Sequence, residues 1–223
     1  MSEQELSQLR DKIDSVDKQI QELLNLRASF AMQVAEVKMR DVDSSAEAAP
    51  IFYRPEREAQ VLRRVMARNE GPMDAKKIAH IFREIMSACL ALEKPLEVAY
   101  LGPEGTFTQA AALKHFGHAA ITCPMPNIGD IFSAVQRKNC DYGVLPVENS
   151  TEGMVTHTLD NFLDSPLKIC GELMLPINLH LLAQEATEPE AVTKICAHQQ
   201  ALAQSRGWLK QHFPHVETVA VSS

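Results

Sequence analysis

No stretch of this 223-residue chain approaches the ~20 consecutive apolar residues that a bilayer-spanning helix requires. A basic surplus is missing as well. The 22 lysines and arginines face 29 acids, for a net charge of −7, so the electrostatic case for nucleic-acid binding is weak. The opening residues, Met-Ser-Glu-Gln-Glu, contain neither a basic n-region nor an apolar h-region, and no secretory signal is expected. Paired cysteine spacings are also lacking. The five cysteines, Cys89, Cys123, Cys140, Cys170 and Cys196, are odd in number and widely spread, which favours reduced thiols over disulfides or a zinc site. These absences predict a cytoplasmic protein with no metal centre and with neither membrane nor nucleic acid as partner. What is present, 45% hydrophobic and 23% charged residues, is ordinary globular composition, long enough for one or two domains.

The chain changes character near Lys94-Pro95. Before that point the periodicity is helical. Leu6, Leu9, Ile13, Val16, Ile20, Leu23, Arg27, Phe30, Val34 and Val37 follow one another at steps of three and four. That spacing predicts one long amphipathic helix, from about residue 4 to about residue 40, with its seam packed against other helices. Residues 41–50 are polar and small and break it. Pro55 suits the first turn of a second helix reaching about Asn69, and Gly71-Pro72 stops it. Asp74 can cap a third helix with Ile78, Ile81, Phe82, Ile85, Cys89 and Leu92 as its apolar positions, ended by Pro95. The first helix would be ~55 Å long, whereas a compact ~95-residue domain is about 30 Å across. Two short partners cannot cover it, and an intertwined dimer would.

After residue 95, short strand-like runs at 97–101, 120–123, 141–147, 193–197 and 216–221, and a long one at 167–183, alternate with helical stretches at 107–116, 127–138, 154–163 and 199–212. This alternation predicts an α/β layer with largely parallel strands. Gly102-Pro103-Glu104-Gly105-Thr106-Phe107-Thr108 reads either as an ordinary turn from strand to helix or as a cradle of backbone N–H groups for a carboxylate. Pro146-Val147-Glu148-Asn149-Ser150-Thr151-Glu152-Gly153 also follows a strand, and open α/β sheets bind ligands at strand C-terminal ends. The sequence stops at Ser222-Ser223, just after a strand, which suggests a unit cut short or else a short edge strand.

Arg27 occupies a seam position where a leucine is expected, and a guanidinium there needs an anion. It either pairs with a carboxylate such as Glu58 or Glu93 or keeps a place for an anionic ligand. Lys38, 11 residues on, shares its face to within ~20°, at a backbone distance of ~16 Å. Arg10, 17 residues back and ~25 Å away, is too distant for one small molecule on the same helix, but an antiparallel partner could bring its own Arg10 there. Cys89 and Glu93 share a face of the third helix, and the second offers Arg57 and Glu58. Several cations, one or two carboxylates and apolar walls suit a small dianion.

The segments Leu9-Arg10-Asp11-Lys12-Ile13-Asp14-Ser15-Val16-Asp17, Leu23-Leu24-Asn25-Leu26-Arg27, Lys38 and Pro55-Glu56-Arg57-Glu58 resemble those of the all-helical chorismate mutases. The resemblance covers residues 5–94. It implies an intertwined homodimer of three-helix chains that rearranges chorismate to prephenate without a cofactor. It further implies that Arg27, with Arg10 of the partner subunit, holds substrate carboxylates, that Lys38 and Glu93 address the ether oxygen, that Glu58 takes the ring hydroxyl, and that Arg57 and Cys89 lie close by. The sequence departs from the family at three positions. Arg54 stands where an acid often contacts the hydroxyl, Cys89 where a serine is common, and Glu93 where many members have glutamine. A glutamate can donate to the ether oxygen only when protonated.

The 102–108 and 146–153 motifs look like those of prephenate dehydratase, whose domain resembles two-lobed periplasmic-binding-protein folds. Their order after a mutase-like segment resembles the bifunctional chorismate mutase/prephenate dehydratases of phenylalanine biosynthesis. The resemblance implies an all-α mutase domain over 1–94 and a partial α/β dehydratase domain over 95–223, with Thr106, Asn149 and Gln200 as dehydratase-site candidates and prephenate as second substrate. The family's Thr-Arg-Phe motif and C-terminal regulatory domain are not found in these 223 residues, so residues 1–223 on their own are expected to form no phenylpyruvate. The residues also admit a different class, an α/β small-molecule-binding module on a helical dimerisation domain, which would bind without turnover.

Overall fold

The computed structural model describes residues 3–40, 52–149, 153–185 and 187–221. The expected break at 41–50, loop residues 150–152 and the terminal Ser222-Ser223 lie outside the described residues. Helix α1 (Glu3–Arg40) begins with Glu3 and Glu5 and ends with Lys38 and Arg40, charges that suit its dipole at both ends. Helix α2 (Pro55–Ala67) starts on proline, and α3 (Ala75–Glu93) is capped by Asp74, whose carboxylate accepts from the N–H groups of Lys76 (2.9 Å) and Lys77 (3.4 Å).

Both α1 and α2 pack on α3. The half-buried residues of α1 are Arg27, Ala28, Ala31, Ala35 and Lys38, so α1 meets its neighbour through an alanine face bordered by two cations. The expected packing of the leucine-rich seam is not made within one chain: Ile13 is 58% exposed, Leu23 64% and Val37 53%. The reason is geometric. Small side chains allow a close approach of α3, and among the described residues no further helix packs on α1.

Strand β1 (Glu97–Leu101) is the centre of a three-stranded parallel sheet, with β2 (Ile121–Met125) on one side and β3 (Tyr142–Val144) on the other. Helices α4 (Phe107–Phe116) and α5 (Ile128–Gln136) connect them. Successive residues of a strand point to opposite faces, and the core follows that rule. Val98 packs with Tyr53, Leu96, Ala112 and Phe116; Ala99 packs with Ile131, Ala134 and Cys140.

The chain forms two compact units, Met1–Leu145 with Ser165–Leu173, and Pro146–Asp164 with Met174–Ser223. The first unit joins the three helices to the three-stranded sheet, so the compositional change at 94/95 is not a boundary of compactness. Three contacts explain why. Glu84 of α3 accepts from the backbone N–H of His118 (3.0 Å) and meets its ring Nδ1 (3.1 Å). Lys94 donates to Asp141 Oδ1 (2.8 Å), while Asp141 Oδ2 accepts from the Glu97 N–H (3.0 Å). Gly117 lies so close to α3 that a Cβ there would fall 2.4 Å from Ser87 Cβ.

The second unit contains a short antiparallel pair, β4 (Glu148–Asn149) and β5 (Gly153–Met154), then α6 (Thr156–Asp164) and a parallel pair, β6 (Lys194–Ala197) and β7 (Glu217–Ala220), linked by α7 (Gln199–His212). Fully buried Thr158 donates to the Pro146 carbonyl at 2.7 Å, tying α6 to the start of the unit. Two expectations fail here. Residues 148–153, which follow the expected strand at 141–147 and read from the sequence as a loop, contain β4 and the first residue of β5, and the long strand expected at 167–183 has no regular secondary structure. That segment has strand-like composition but no paired neighbour among the described residues, and its Met174 is 91% exposed. A strand exists only through the ladder it joins.

Candidate functional site

Lys38, in the last turn of α1, points its Nζ at Glu93, the final residue of α3, 3.8 Å from Oε2. This is ion-pair range but beyond hydrogen-bonding distance. The same Nζ donates to the Phe52 carbonyl (3.2 Å) and sits 5.3 Å from the centre of the Phe52 ring. Glu93 Oε2 is buried and has no hydrogen-bond partner among the described residues. Burial pushes the Glu93 carboxyl above the usual range for a glutamate; the positive charges of Lys38 and Arg27 pull it down, and burial wins. Arg27 is half-buried and makes no ion pair or hydrogen bond among the described residues. The structural ion pair that was one reading of Arg27, with Glu58 or Glu93, is therefore not formed. Cys89 is buried one turn before Glu93. Arg57 is exposed on α2, and Arg10 is exposed on the first half of α1.

Glu58 has a different set of partners. Its Oε1 accepts from Arg83 Nε at 3.2 Å, and its negative charge acts on the Tyr53 hydroxyl. Burial, reinforced by the negative charge of Glu58, drives the Tyr53 hydroxyl far above the ordinary tyrosine range. The expected residues thus fall into two groups, Arg27, Lys38, Cys89 and Glu93 in one and Glu58 in the other. Phe52, Tyr53 and Arg83 were not foreseen. Only the position of Phe52-Tyr53 just ahead of the α2 proline hinted at them, because their partners are remote in sequence.

In the turn after β1, Thr106 donates to the Leu101 carbonyl (2.9 Å) and accepts from the Gln109 N–H (3.4 Å), capping α4. The Gly105 N–H, a donor to a carboxylate in one of the two readings of this turn, is engaged by Gln109 Oε1 at 2.7 Å, and Gln109 Nε2 in turn donates to Thr122 (3.2 Å). Gly105 has φ +84°, a conformation that favours glycine. Asn149 lies in β4, and Gln200 is half-buried in the first turn of α7, its N–H held by His198 Nδ1 (3.3 Å). Both belong to the second compact unit and Thr106 to the first. Among the described residues, no group of three or more His, Cys, Asp or Glu could hold a metal ion, and no helix is long and apolar enough to cross a membrane.

A helical module in which a half-buried arginine, a lysine and a buried glutamate carboxyl come together is joined to a parallel α/β layer. Residues 98–223 match the family described as prephenate dehydratase, residues 9–94 match chorismate mutase type II, and the chain belongs to the prephenate dehydratase family with the mutase-type domain ahead of it. It is 55% identical over 219 residues to a bifunctional chorismate mutase/prephenate dehydratase of Pseudomonas aeruginosa, covering 98% of this chain and 60% of that protein. With the namesake from Aquifex aeolicus the identity is 45% over 224 residues, covering 99% and 60%. The chain therefore spans about 60% of the length of these curated relatives. A crystal structure of prephenate dehydratase from Arthrobacter aurescens in complex with L-Phe superposes with a TM-score of 0.51 at 36% identity, covering 57% of this chain and 43% of that one.

Proposed function

We propose that the helical part, residues 1–94, is a chorismate mutase acting as a homodimer, and that residues 95–223 belong to a prephenate dehydratase that consumes the mutase product in phenylalanine biosynthesis in the cytoplasm. The observation that carries the mutase reading is the buried Oε2 of Glu93, in ion-pair range of Lys38 and near Arg27 but without a hydrogen bond among the described residues. A buried carboxyl oxygen left without a hydrogen bond beside two cations supports a role toward a ligand rather than in holding the fold.

Chorismate carries two carboxylates, and its ether oxygen gains negative charge as the C–O bond breaks. Arg27 and Arg10 of the partner subunit bind the carboxylates. Lys38 and protonated Glu93 donate to the ether oxygen, stabilising charge that exists only in the transition state. Glu58 accepts from the ring hydroxyl, with Arg57 and Cys89 near the substrate. Holding the enolpyruvyl chain folded over the ring supplies a further part of the acceleration. In the dehydratase part, Thr106, Asn149 and Gln200 bind prephenate. The exposed apolar seam of α1 supports the dimer, because it gives a second chain a continuous surface to cover.

Mixing the purified chain with chorismate and following the loss of its absorbance tests the mutase reading. Turnover to prephenate is expected. Binding without turnover would overturn it in favour of a sensor module.

A further inference from the structure

One residue holds the Lys38 ammonium in two ways. Lys38 Nζ donates to the Phe52 carbonyl at 3.2 Å and lies over the Phe52 ring, 5.3 Å from its centre, where the negative face of the aromatic system attracts a cation. Glu93 Oε2 draws the same ammonium from 3.8 Å but accepts no hydrogen bond from it. A lysine free to settle on a carboxylate closes to about 2.8 Å, and each group then spends itself on the other. Here the hydrogen bond goes to a neutral carbonyl instead, and an ammonium with three donors keeps the rest for other acceptors. The Phe52 backbone is itself anchored. The next residue, Tyr53, is buried in the core of the α/β layer, its ring centre 5.6 Å from that of Phe116 and 5.3 Å, edge to face, from that of Tyr142. One residue further, the Arg54 carbonyl accepts from the Arg57 N–H (3.0 Å) where α2 begins. A lysine is rich in rotamers when free, and a fixed carbonyl with a fixed ring removes that freedom before any ligand arrives.

We propose that Phe52 is a positioning residue of the mutase site: its carbonyl and ring face hold the Lys38 ammonium beside Glu93 without letting the two close on each other, so that both stay available to the ether oxygen of chorismate. This rests on the mutase reading and on Lys38 as a donor to that oxygen. The charge on the ether oxygen develops only in the transition state, so a misplaced Lys38 costs turnover rather than substrate binding. Loss of the Phe52 ring face therefore lowers kcat and leaves KM nearly unchanged.

The test is steady-state mutase kinetics of the full chain carrying Phe52→Leu, a trifluorinated phenylalanine at position 52, or Lys38→Met. Fluorination keeps the shape of the ring and weakens the negative potential of its face, so thermal unfolding stays close to that of the parent. The fluorinated chain is expected to lose kcat about fivefold, the scale of one cation–π contact at a partly buried ammonium, with KM unchanged. Phe52→Leu is expected to lose at least as much. A fluorinated chain with the kcat of the parent would mean that the ring serves packing alone, and overturns the proposal. So does a raised KM with unchanged kcat in either variant, because the ring would then serve substrate binding and not Lys38. A Lys38→Met chain that turns over like the parent overturns instead the role of Lys38 on which the proposal stands, and a parent chain without turnover overturns the mutase reading itself.

Discussion

Glu93 is the residue whose chemistry depends most on its surroundings. Burial makes it harder to ionise in the folded chain than in the unfolded one, against the pull of Lys38 and Arg27. The folded state therefore holds the proton more tightly. The stability that this contributes is complete below the ordinary glutamate range and is lost as pH climbs through that range to the raised value of Glu93. Mutase activity is expected to fall over the same interval if Glu93 has its proposed role, in which only the protonated form donates to the ether oxygen. Glu93→Gln should flatten both profiles, which pH-dependent kinetics and urea titrations can check; an unchanged rate profile would remove Glu93 from the reaction. Arg27 is the converse case. It is half-buried but ties no part of the fold together among the described residues. Arg27→Ala should therefore alter folding stability by no more than about 0.5 kcal/mol while lowering kcat/KM by about a hundredfold or more. A large fall in melting temperature with activity retained would show that the arginine serves the fold instead.

At the scale of elements, α1 shows what a periodic pattern can and cannot reveal. Its length and its apolar stripe were legible in the sequence, because steps of three and four are local. The face that meets α3 was not, because Ala28, Ala31 and Ala35 look unremarkable in a sequence and matter only when a second helix approaches. The same limit governs the strands. The central strand Glu97–Leu101 was legible at both ends, whereas 167–183 was misread, since composition cannot supply the neighbour that a ladder needs. In the candidate site, helix geometry placed Arg27 and Lys38 on one face of α1, whereas Glu93 was singled out with the help of the family resemblance. The hydrogen bond from Arg83 to Glu58 spans 25 residues, and no short-range pattern encodes it. The exposed stripe yields its own prediction. Leu23, 64% exposed in the single chain, lies at a seam position where a charge would face the other subunit of the proposed dimer. Leu23→Glu should shift the sedimenting species from dimer to monomer and abolish mutase activity, because Arg10 of the partner subunit is then missing. A monomeric but fully active variant would refute the shared site.

On the scale of the whole molecule, the helices and the three-stranded sheet form one unit because α3 is pinned to the loop after α4. Gly117 is the closest point of that contact. Its φ of +82° and ψ of 169° lie in a region that only glycine occupies readily, and an added Cβ would fall 2.4 Å from Ser87 Cβ. Gly117→Ala should destabilise the protein by about 2 kcal/mol or more, with helical and sheet signals lost in a single transition when unfolding is followed by circular dichroism and tyrosine fluorescence. Two well-separated transitions would show that the halves unfold independently. Tyr53 carries a lesson for anyone grafting one half of this protein onto a relative. A crossover at residue 94 respects the change in composition but leaves the tyrosine with the wrong half. The donor helices would bring a ring shaped for Phe116 and Tyr142 to a foreign core, and the host would keep a cavity where its own ring had been. The natural seam for exchange lies ahead of Tyr53, so that its ring travels with the α/β layer into which it is folded.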